Sequence, residues 1–317
     1  MPRVGCAGLL VEDTFCGPVA ALPPEGALTV LDNIPVRAGG CAANVAIDLA
    51  KQGVDVDVVG CVGQDAAADV VTRAFETHGV GSSHIARISN CETSKTVILL
   101  VEGQDRRYLH CVGANCAFSV DHVPRDWISE LKVFYLGGLF ALPGIDFAQL
   151  AALLKFCRQH GVATVVDVVT PQDLRDAGQL KQLLPLIDVF VPNDDEAKVF
   201  TGVIDPFDQL QKLRDAGANT VIITRGAHGS VASRDNNTWS CGIYYMKVVD
   251  QSGCGDAFTS GVIRSILMGW DLPQTLQYAS AIGASAARAA GTTQSVFSAA
   301  EAEAFARANR ITVTHER

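Results

Sequence analysis

Short apolar runs of β type alternate with amphipathic helical stretches through most of the sequence. The predicted strands are residues 4–10, 54–59, 133–136, 163–168, 189–191 and 221–224. The predicted helices include residues 42–51, 66–77, 147–160 and 208–216. Because such alternation is typical of crossover connections, it predicts an α/β fold in which helices cover both faces of a mainly parallel, doubly wound sheet. Ligands of such sheets bind at the carboxyl ends of the strands.

Two stretches interrupt this alternation. Residues 13–37 are rich in Pro and Gly and carry short apolar runs at 27–31 and 34–36, whereas residues 93–111 form two predicted strands joined by a turn at 102–105. We predict that they form a small β-sheet lid on a large α/β domain made of residues 1–12, 38–92 and 112–317. The small sheet is interpreted as a lid that excludes water from a reacting group, or as the contact surface of a homodimer, and the two roles are compatible.

The composition excludes several classes of protein. With 48% hydrophobic and 19% charged residues the chain is expected to fold, and its net charge of −9 provides no general basic surface for nucleic acid or an anionic membrane. The first residues lack the apolar segment of a secretion signal, and no window approaches the roughly 18 apolar residues that a membrane span needs. The sequence therefore predicts a cytoplasmic protein.

The ten cysteines are scattered singly, without a CxxC pattern, and mostly within apolar or small-residue stretches. We interpret them as buried thiols that pack as small hydrophobes, rather than as a disulfide or zinc framework.

Residues 248–258 read VVDQSGCGDAF, an apolar strand that leads through a glycine-spaced turn into a predicted helix. Gly253 and Gly255 allow backbone conformations that a Cβ would forbid, and the N–H groups at the start of the helix could bind a phosphate. A carboxylate beside such a site, Asp256, is useful where a hydroxyl must lose its proton. The alternative is that Asp256 simply caps a helix in an ordinary strand-to-helix turn.

Three further segments carry polar or glycine-rich turns. Gly39 and Gly40 precede a helix of small residues in which Asn44 offers a donor and an acceptor to a sugar hydroxyl, although tight packing explains the glycine pair equally well. The run PNDDE at 192–196 could hold hydrated Mg²⁺ or could complement the helix dipole. The run TRGAHG at 224–229 could line a nucleotide or form a plain turn. Neither a Walker A pattern nor a complete GxGxxG occurs, which disfavours a P-loop NTPase and a typical Rossmann dehydrogenase.

In their order and approximate spacing, the elements GGxxxN, PNxxE, TxGxxG and GxGD resemble those of the ribokinase-like, or phosphofructokinase-B, family of sugar and nucleoside kinases. The resemblance covers nearly the whole chain. It implies a ribokinase-like fold with a β-sheet lid, the cofactors ATP and Mg²⁺, and K⁺ in some members. It also implies ATP-dependent phosphorylation of a hydroxyl group on a small sugar or sugar-like substrate.

The resemblance also implies roles for individual positions. Asp256 would be the base for the acceptor hydroxyl, and the backbone of Gly253, Cys254 and Gly255 would form the anion hole. The matching sugar-contacting positions are Asp13, Gly39, Gly40 and Asn44. The matching nucleotide positions are Asn193, Glu196, Thr224 and Gly226, with Glu196 holding Mg²⁺ through water. The positions that match a monovalent-cation site are Asp250, Ser252, Gly291 and Ser295.

This sequence departs from the family pattern at two positions of the last motif. Cys254 replaces a small Ala, which backbone binding should tolerate, and Gln251 replaces Thr beside the cation positions. Residues 113–115 resemble ribokinases, whereas residues 105–107 resemble the lid of fructokinase-like members, so the substrate stays open. The alternative functions are a nucleoside kinase, which the scarcity of aromatic residues in the lid disfavours, and a catalytically silent sugar-binding protein on the same fold.

Overall fold

The computed structural model describes residues 3–171, 174 and 177–316. Its strands are β1 Arg3–Gly8, β2 Val11–Val19, β3 Val36–Gly39, β4 Asp55–Val62, β5 Gly81–Arg87, β6 Ser94–Val101, β7 Arg107–Cys111, β8 Leu131–Leu139, β9 Ala163–Val168, β10 Val189–Phe190, β11 Thr220–Thr224, β12 Ser230–Arg234, β13 Asn237–Cys241 and β14 Val313–Glu316. Its helices are α1 Cys41–Lys51, α2 Ala66–His78, α3 Arg125–Ser129, α4 Phe147–Gln159, α5 Leu180–Leu183, α6 Asp194–Thr201, α7 Pro206–Asp215, α8 Cys254–Met268, α9 Leu272–Ala286 and α10 Ala299–Ala308.

The large sheet has the strand order β14-β13-β12-β11-β10-β9-β8-β1-β4-β5. Seven neighbouring strands of this sheet pair in parallel, namely β11, β10, β9, β8, β1, β4 and β5. The strands β12, β13 and β14 extend the β11 edge in antiparallel fashion. The predicted α/β fold with a mainly parallel sheet is therefore confirmed. The antiparallel edge is an addition that the sequence prediction did not contain.

Helices cover both faces of this sheet. On β9, the neighbouring residues Val165 and Val166 point into different buried cores, because successive side chains of a strand alternate between faces. One core contains residues of α4 and α7, and the other contains residues of α1, α2, α8 and α9. Several helices begin at a carboxylate that accepts hydrogen bonds from the first turn, namely Asp65, Asp146, Asp205 and Asp271.

A separate four-stranded sheet has the order β3-β2-β6-β7. It contains both predicted strands of the 93–111 segment, and the two flank the predicted turn at 102–105. In the 13–37 segment, β2 already begins at Val11, whereas the apolar run 27–31 lies outside any assigned strand and exposes Leu28 and Val30. The division of the chain at residues 12, 37, 92 and 111 stays a prediction, and its terminal residues 1, 2 and 317 lie outside the described residues.

The cysteine prediction needs correction. All ten thiols are free, and Cys6, Cys61, Cys157 and Cys241 are buried as expected, but Cys111 and Cys116 are exposed. Cys111 is the last residue of β7, and Cys116 lies in the turn that follows it, where the backbone leaves the small sheet. In the part of the chain that the structure describes, no helix is long and apolar enough to cross a membrane.

Candidate active site

The turn that opens α8 has the backbone shape expected of an anion-binding loop. Gly253 has φ +77°, a left-handed conformation that favours glycine, and a Cβ there would clash with the carbonyl oxygen of Thr292. At Gly255, a Cβ would meet no atom of the described residues within 4 Å. The first turn of α8 thus presents backbone N–H groups, including those of Gly255 and Asp256, without intrahelical partners, next to open space. This geometry suits the predicted anion hole of Gly253, Cys254 and Gly255.

Asp256 is joined to the first helix of the chain. The Asn44 Nδ2 donates a hydrogen bond to the Asp256 Oδ2 at 2.7 Å, and the Cys41 thiol donates a second one. Burial raises the pKa of Asp256, whereas these two hydrogen bonds and the positive charge of Arg106 lower it. A position at a helix N-terminus favours the ionised carboxylate, and burial opposes that effect. The two donors are suited to hold its proton-accepting form.

The side-chain oxygen of Asn44 is buried and unpartnered among the described residues. The Asn44 side chain is only 3% exposed, and its Oδ1 is the atom without a hydrogen-bond partner there. A buried polar atom without a partner is costly, so it points to a ligand that supplies a donor. Gly40, with φ +90°, precedes α1 and leads the chain into this helix. The predicted sugar-contacting position Asn44 therefore lies beside Asp256, and the Gly40 carbonyl accepts a hydrogen bond from the Asn44 N–H at the start of the same helix.

Asp13 lies on β2, where its carboxylate occupies the space that a side chain at Gly39 would need. This close approach explains why position 39 is a glycine. Asp13 is 5% exposed, and burial raises its pKa to about 7, with a smaller contribution from the charge of Asp256. The structure thus brings the four predicted sugar-contacting residues to the same end of the sheet as the predicted base.

The raised pKa of Asp13 predicts a specific pH dependence of stability. Between its usual pKa near 4 and about 7, the folded protein retains a proton that the unfolded chain releases, so the free energy of unfolding falls as pH rises through this window. We expect Asp13→Asn to stabilise the protein at pH 8 by on the order of 2 kcal/mol, and by much less at pH 5. Urea denaturation at both pH values measures this difference. The exposed Asp32→Asn is the matched control, and equal effects of the two variants would contradict the prediction.

Two residues near Asp256 were missed by the sequence analysis. The Cys41 thiol and one carboxylate oxygen each of Asp167 and Asp256 lie within 4.8 Å of one another. Asp167 is held in place because its Oδ1 accepts a hydrogen bond from the Gly138 N–H at 2.6 Å and its Oδ2 accepts one from the Tyr135 hydroxyl. Burial, and then the charge of Asp256, raise the pKa of Asp167 well above its usual value. Its place at the end of a predicted strand was the signal that could have identified it.

The predicted nucleotide positions meet at the ends of β10 and β11. Asn193 pairs with Thr224 in an isolated parallel bridge, and Asn193 and Glu196 form a capping box with N···O distances of 2.8 Å. Burial raises the pKa of Glu196 to about 7, and the charge of Asp256 adds to this. Gly226, with φ +50°, turns the chain back into β12. The oxygen donors of Asn193 and Glu196 fit a hydrated Mg²⁺, and its positive charge would favour the ionised form of Glu196.

The predicted monovalent-cation positions are only partly suited to that role. Asp250 accepts hydrogen bonds from the Ser252 N–H and hydroxyl through Oδ1 at 2.9 and 2.8 Å, and from the Gly291 N–H through Oδ2 at 3.0 Å. These bonds bring three of the four positions together. The Ser295 carbonyl, however, accepts a hydrogen bond from the Arg288 guanidinium, so a positive charge already faces it. The K⁺ site stays a prediction, and the contact of Arg288 argues against Ser295 as a ligand.

The small sheet brings one cation towards the anion hole. Arg106, the residue before β7, donates hydrogen bonds to the Tyr108 hydroxyl and to Asp105, the latter at 2.9 Å. The charge of Arg106 lowers the pKa of Asp256 and opposes the rise that burial causes at Cys254. In the sequence, this segment only resembles the lid of fructokinase-like members. The structure adds that its first arginine is electrostatically coupled to the site.

Comparison with known proteins gives one family match and several relatives. The model of the "pfkB family carbohydrate kinase" matches residues 8–299. The ribokinase of Haemophilus influenzae is 26% identical over 269 residues, covering 83% of this chain and 85% of the relative. The 5-dehydro-2-deoxygluconokinase of Clostridium perfringens is 27% identical over 261 residues, covering 78% of this chain and 77% of the relative.

Among solved structures, a putative ribokinase II from E. coli in complex with ATP and Mg²⁺ superposes with a TM-score of 0.84. The two sequences are 19% identical, and the match covers 98% of this chain and 100% of the other. At this identity the likeness concerns the fold alone, and it confirms the predicted ribokinase-like architecture.

Proposed function

Because the chain belongs to the pfkB family of carbohydrate kinases, and is thus an ATP-dependent phosphotransferase, we propose that it transfers a phosphoryl group to a hydroxyl of a small sugar. The observation that carries this proposal is the 2.7 Å hydrogen bond between Asn44 and Asp256. It joins Asn44, whose Oδ1 has no partner among the described residues, to the carboxylate of Asp256, and this pairing supports a site in which a sugar hydroxyl is bound beside a base. The relatives named ribokinase and 5-dehydro-2-deoxygluconokinase support a small carbohydrate as the acceptor.

On this proposal, Asp13 and Asn44 bind and orient the acceptor. The Asn44 Oδ1 accepts a hydrogen bond from one sugar hydroxyl, while its Nδ2 stays on Asp256. Asp13 accepts from a second hydroxyl, and the missing side chain at Gly39 leaves room for its carboxylate. Orientation of this kind accounts for much of the rate enhancement in phosphoryl transfer, because the protein supplies little covalent chemistry.

Asp256 then removes the proton of the attacking hydroxyl as its oxygen bonds to the γ-phosphorus of ATP, while the bond from that phosphorus to the bridging oxygen breaks and ADP leaves. The backbone N–H groups of the turn from Gly253 to Gly255 donate hydrogen bonds to the oxygens of the phosphoryl group that is being transferred. Arg106 of the β6–β7 hairpin supplies positive charge to the site, and the small sheet acts as the lid that excludes water. Asn193 and Glu196 would hold Mg²⁺ through its waters, and the bound Mg²⁺ would neutralise charge on the phosphates of ATP.

The proposal is tested by a screen of sugars, sugar acids and nucleosides with ATP and Mg²⁺, in which ADP release and the mass of the product are measured. We expect phosphorylation of one group of small sugars. Phosphorylation of nucleosides alone would support the nucleoside kinase instead. Sugar binding by calorimetry without any turnover would support the silent sugar-binding protein.

We expect Asn44→Ala to weaken sugar use and to leave nucleotide binding nearly unchanged. The variant removes a ligand contact worth on the order of 1–3 kcal/mol and a donor to Asp256, so kcat/KM for the sugar should fall roughly 10- to 100-fold. Steady-state kinetics give this value, and calorimetry with ATP gives the internal control. An equal loss of ATP affinity, with unchanged circular dichroism, would place Asn44 in a general structural role.

A further inference from the structure

The chain enters and leaves the β6–β7 hairpin of the small sheet through two peptides that lie side by side. We define residues 91–94 and 111–116 as the lid base. The Ala114 N–H donates to the Glu92 carbonyl at 2.7 Å, and the Ser94 hydroxyl donates to the Cys111 carbonyl at 2.9 Å. At Gly113, with φ +49°, a Cβ would lie only 2.6 Å from the Glu92 oxygen. The two peptides therefore pack more closely than side chains would allow.

Cysteines converge on the lid base. Cys91 lies on the entering peptide and is half-buried, whereas Cys111 and Cys116 lie on the leaving peptide and are exposed. Cys91 directly precedes Glu92 and Cys116 lies two residues after Ala114, so the two cysteines flank the hydrogen bond that joins the two peptides. Burial raises the pKa of Cys91, the thiols of Cys116 and Cys111 both raise it further, and the effect of Cys116 is the larger of these two. Cys61 also faces this group from β4, but it is buried, and burial raises its pKa to about 12. Cys91 and Cys116 are thus the adjacent pair that solvent can reach.

Two chemistries suit adjacent thiols, namely a metal site and a disulfide. A metal site requires at least three ligands around one ion. Within residues 3–171, 174 and 177–316, the group of three whose ligand atoms lie within 4.8 Å of one another is Cys41, Asp167 and Asp256, and the lid-base cysteines form no such group. Two cysteines that flank a backbone hydrogen bond between neighbouring peptides are instead suited to a disulfide, which needs the two backbones to lie close together.

We propose that Cys91 and Cys116 form a reversible disulfide that clasps the base of the lid. With glutathione disulfide as the oxidant, one protein thiolate attacks a glutathione sulfur and releases one glutathione thiolate. The second protein thiolate then attacks the mixed disulfide and releases the other glutathione. Two protein thiols are oxidised, and one glutathione disulfide is reduced to two glutathione molecules. The bond would cross-link the entering and leaving peptides of the β6–β7 hairpin.

The clasp should restrict movement of the hairpin that carries Arg106 and Tyr108. It should also stabilise the fold, since a cross-link removes conformational freedom from the unfolded chain. Formation of the disulfide is independent of the proposed kinase function. Only its effect on turnover depends on that function, so the experiment uses readouts that do not require activity.

The full-length protein is equilibrated at pH 8.5 in a series of reduced and oxidised glutathione mixtures, then alkylated, digested and analysed by mass spectrometry. This pH is chosen because burial, the thiols of Cys116 and Cys111, and the charge of Glu92 raise the pKa of Cys91, and the thiolate is the reactive form. We expect a peptide pair linked between Cys91 and Cys116, which dithiothreitol separates again. The thermal midpoint of the oxidised protein should rise by roughly 3–6 °C.

Cys111→Ser is the matched control, since it removes an exposed thiol from the same peptide and should leave both the linked peptide and the thermal shift in place. Cys116→Ser should abolish both. Three results would overturn the proposal: alkylation of Cys91 and Cys116 in the most oxidising mixture, a disulfide of Cys91 with Cys111, or a Cys91–Cys116 disulfide without a thermal shift. Far-ultraviolet circular dichroism of each variant confirms that the compared proteins are folded.

Discussion

Replacing Asp256 by Asn should lower turnover by roughly 10²- to 10⁴-fold while sugar and ATP still bind. The variant keeps the size of the side chain and an oxygen that can accept the hydrogen bond from Asn44, so the local structure is retained. It removes the ability to accept a proton from the acceptor hydroxyl. Single-turnover measurements of phosphoryl transfer, with calorimetric titration of both ligands, separate the chemical step from binding.

The neighbouring carboxylate provides the matched control for this experiment. Asp167 belongs to the same cluster, but its two oxygens are held by Gly138 and Tyr135, so Asp167→Asn should lower turnover less than tenfold. If Asp256→Asn stayed close to the wild-type rate and Asp167→Asn lost activity, the base would be Asp167. Near-normal turnover in both variants would reject a carboxylate base in this cluster altogether.

A second large effect is expected at the glycines of the anion hole. Gly253→Ala forces a side chain into a left-handed conformation and against the Thr292 carbonyl, so the turn must shift. We expect a loss of roughly 2–4 kcal/mol in the free energy of unfolding, together with a loss of turnover of 100-fold or more. Urea denaturation and steady-state kinetics measure the two effects separately.

Gly255→Ala is the companion variant, because a Cβ at that position meets open space among the described residues and the backbone φ is not positive. We expect unchanged or slightly increased stability, since Ala favours helix more than Gly, together with reduced turnover from crowding of the phosphoryl group. Full activity of Gly255→Ala would show that the reacting phosphate does not approach this residue. Equal destabilisation by both variants would show that φ at position 253 is unimportant.

The secondary structure of the large domain could be predicted from the sequence because most of its parallel strands are short apolar runs. The predicted strand 163–168 coincides with β9, where β-branched residues dominate, and α1, α2 and α4 end within two residues of their predicted bounds. The strands β12, β13 and β14 are short and polar, so periodicity did not identify them. The apolar run 27–31 was predicted to belong to the small sheet, but it lies outside the strands and is exposed. An apolar segment need not be buried or paired.

The site was predicted less completely. The order of the motifs predicted that Asp256, Asn44, Asn193 and Glu196 belong to the site. It could not show that the side chains of Asn44 and Cys41 both donate hydrogen bonds to Asp256. Those contacts depend on tertiary packing between helices that are far apart in the chain. Burial has the same origin, which explains why the direction of the pKa shift at Asp256 did not follow from its position at a helix N-terminus.

The packing of α1 against α8 has a consequence for the order in which the chain is made. Asn44 and Asp256 are 212 positions apart, so α1 leaves the ribosome long before the helix that carries its partner exists. Until then, the apolar residues of α1 that α8 later covers have no native neighbour on that side. A nascent chain of this protein therefore cannot consume ATP by the proposed route before α8 has been translated, and during that interval its exposed helix face is a natural substrate for chaperones.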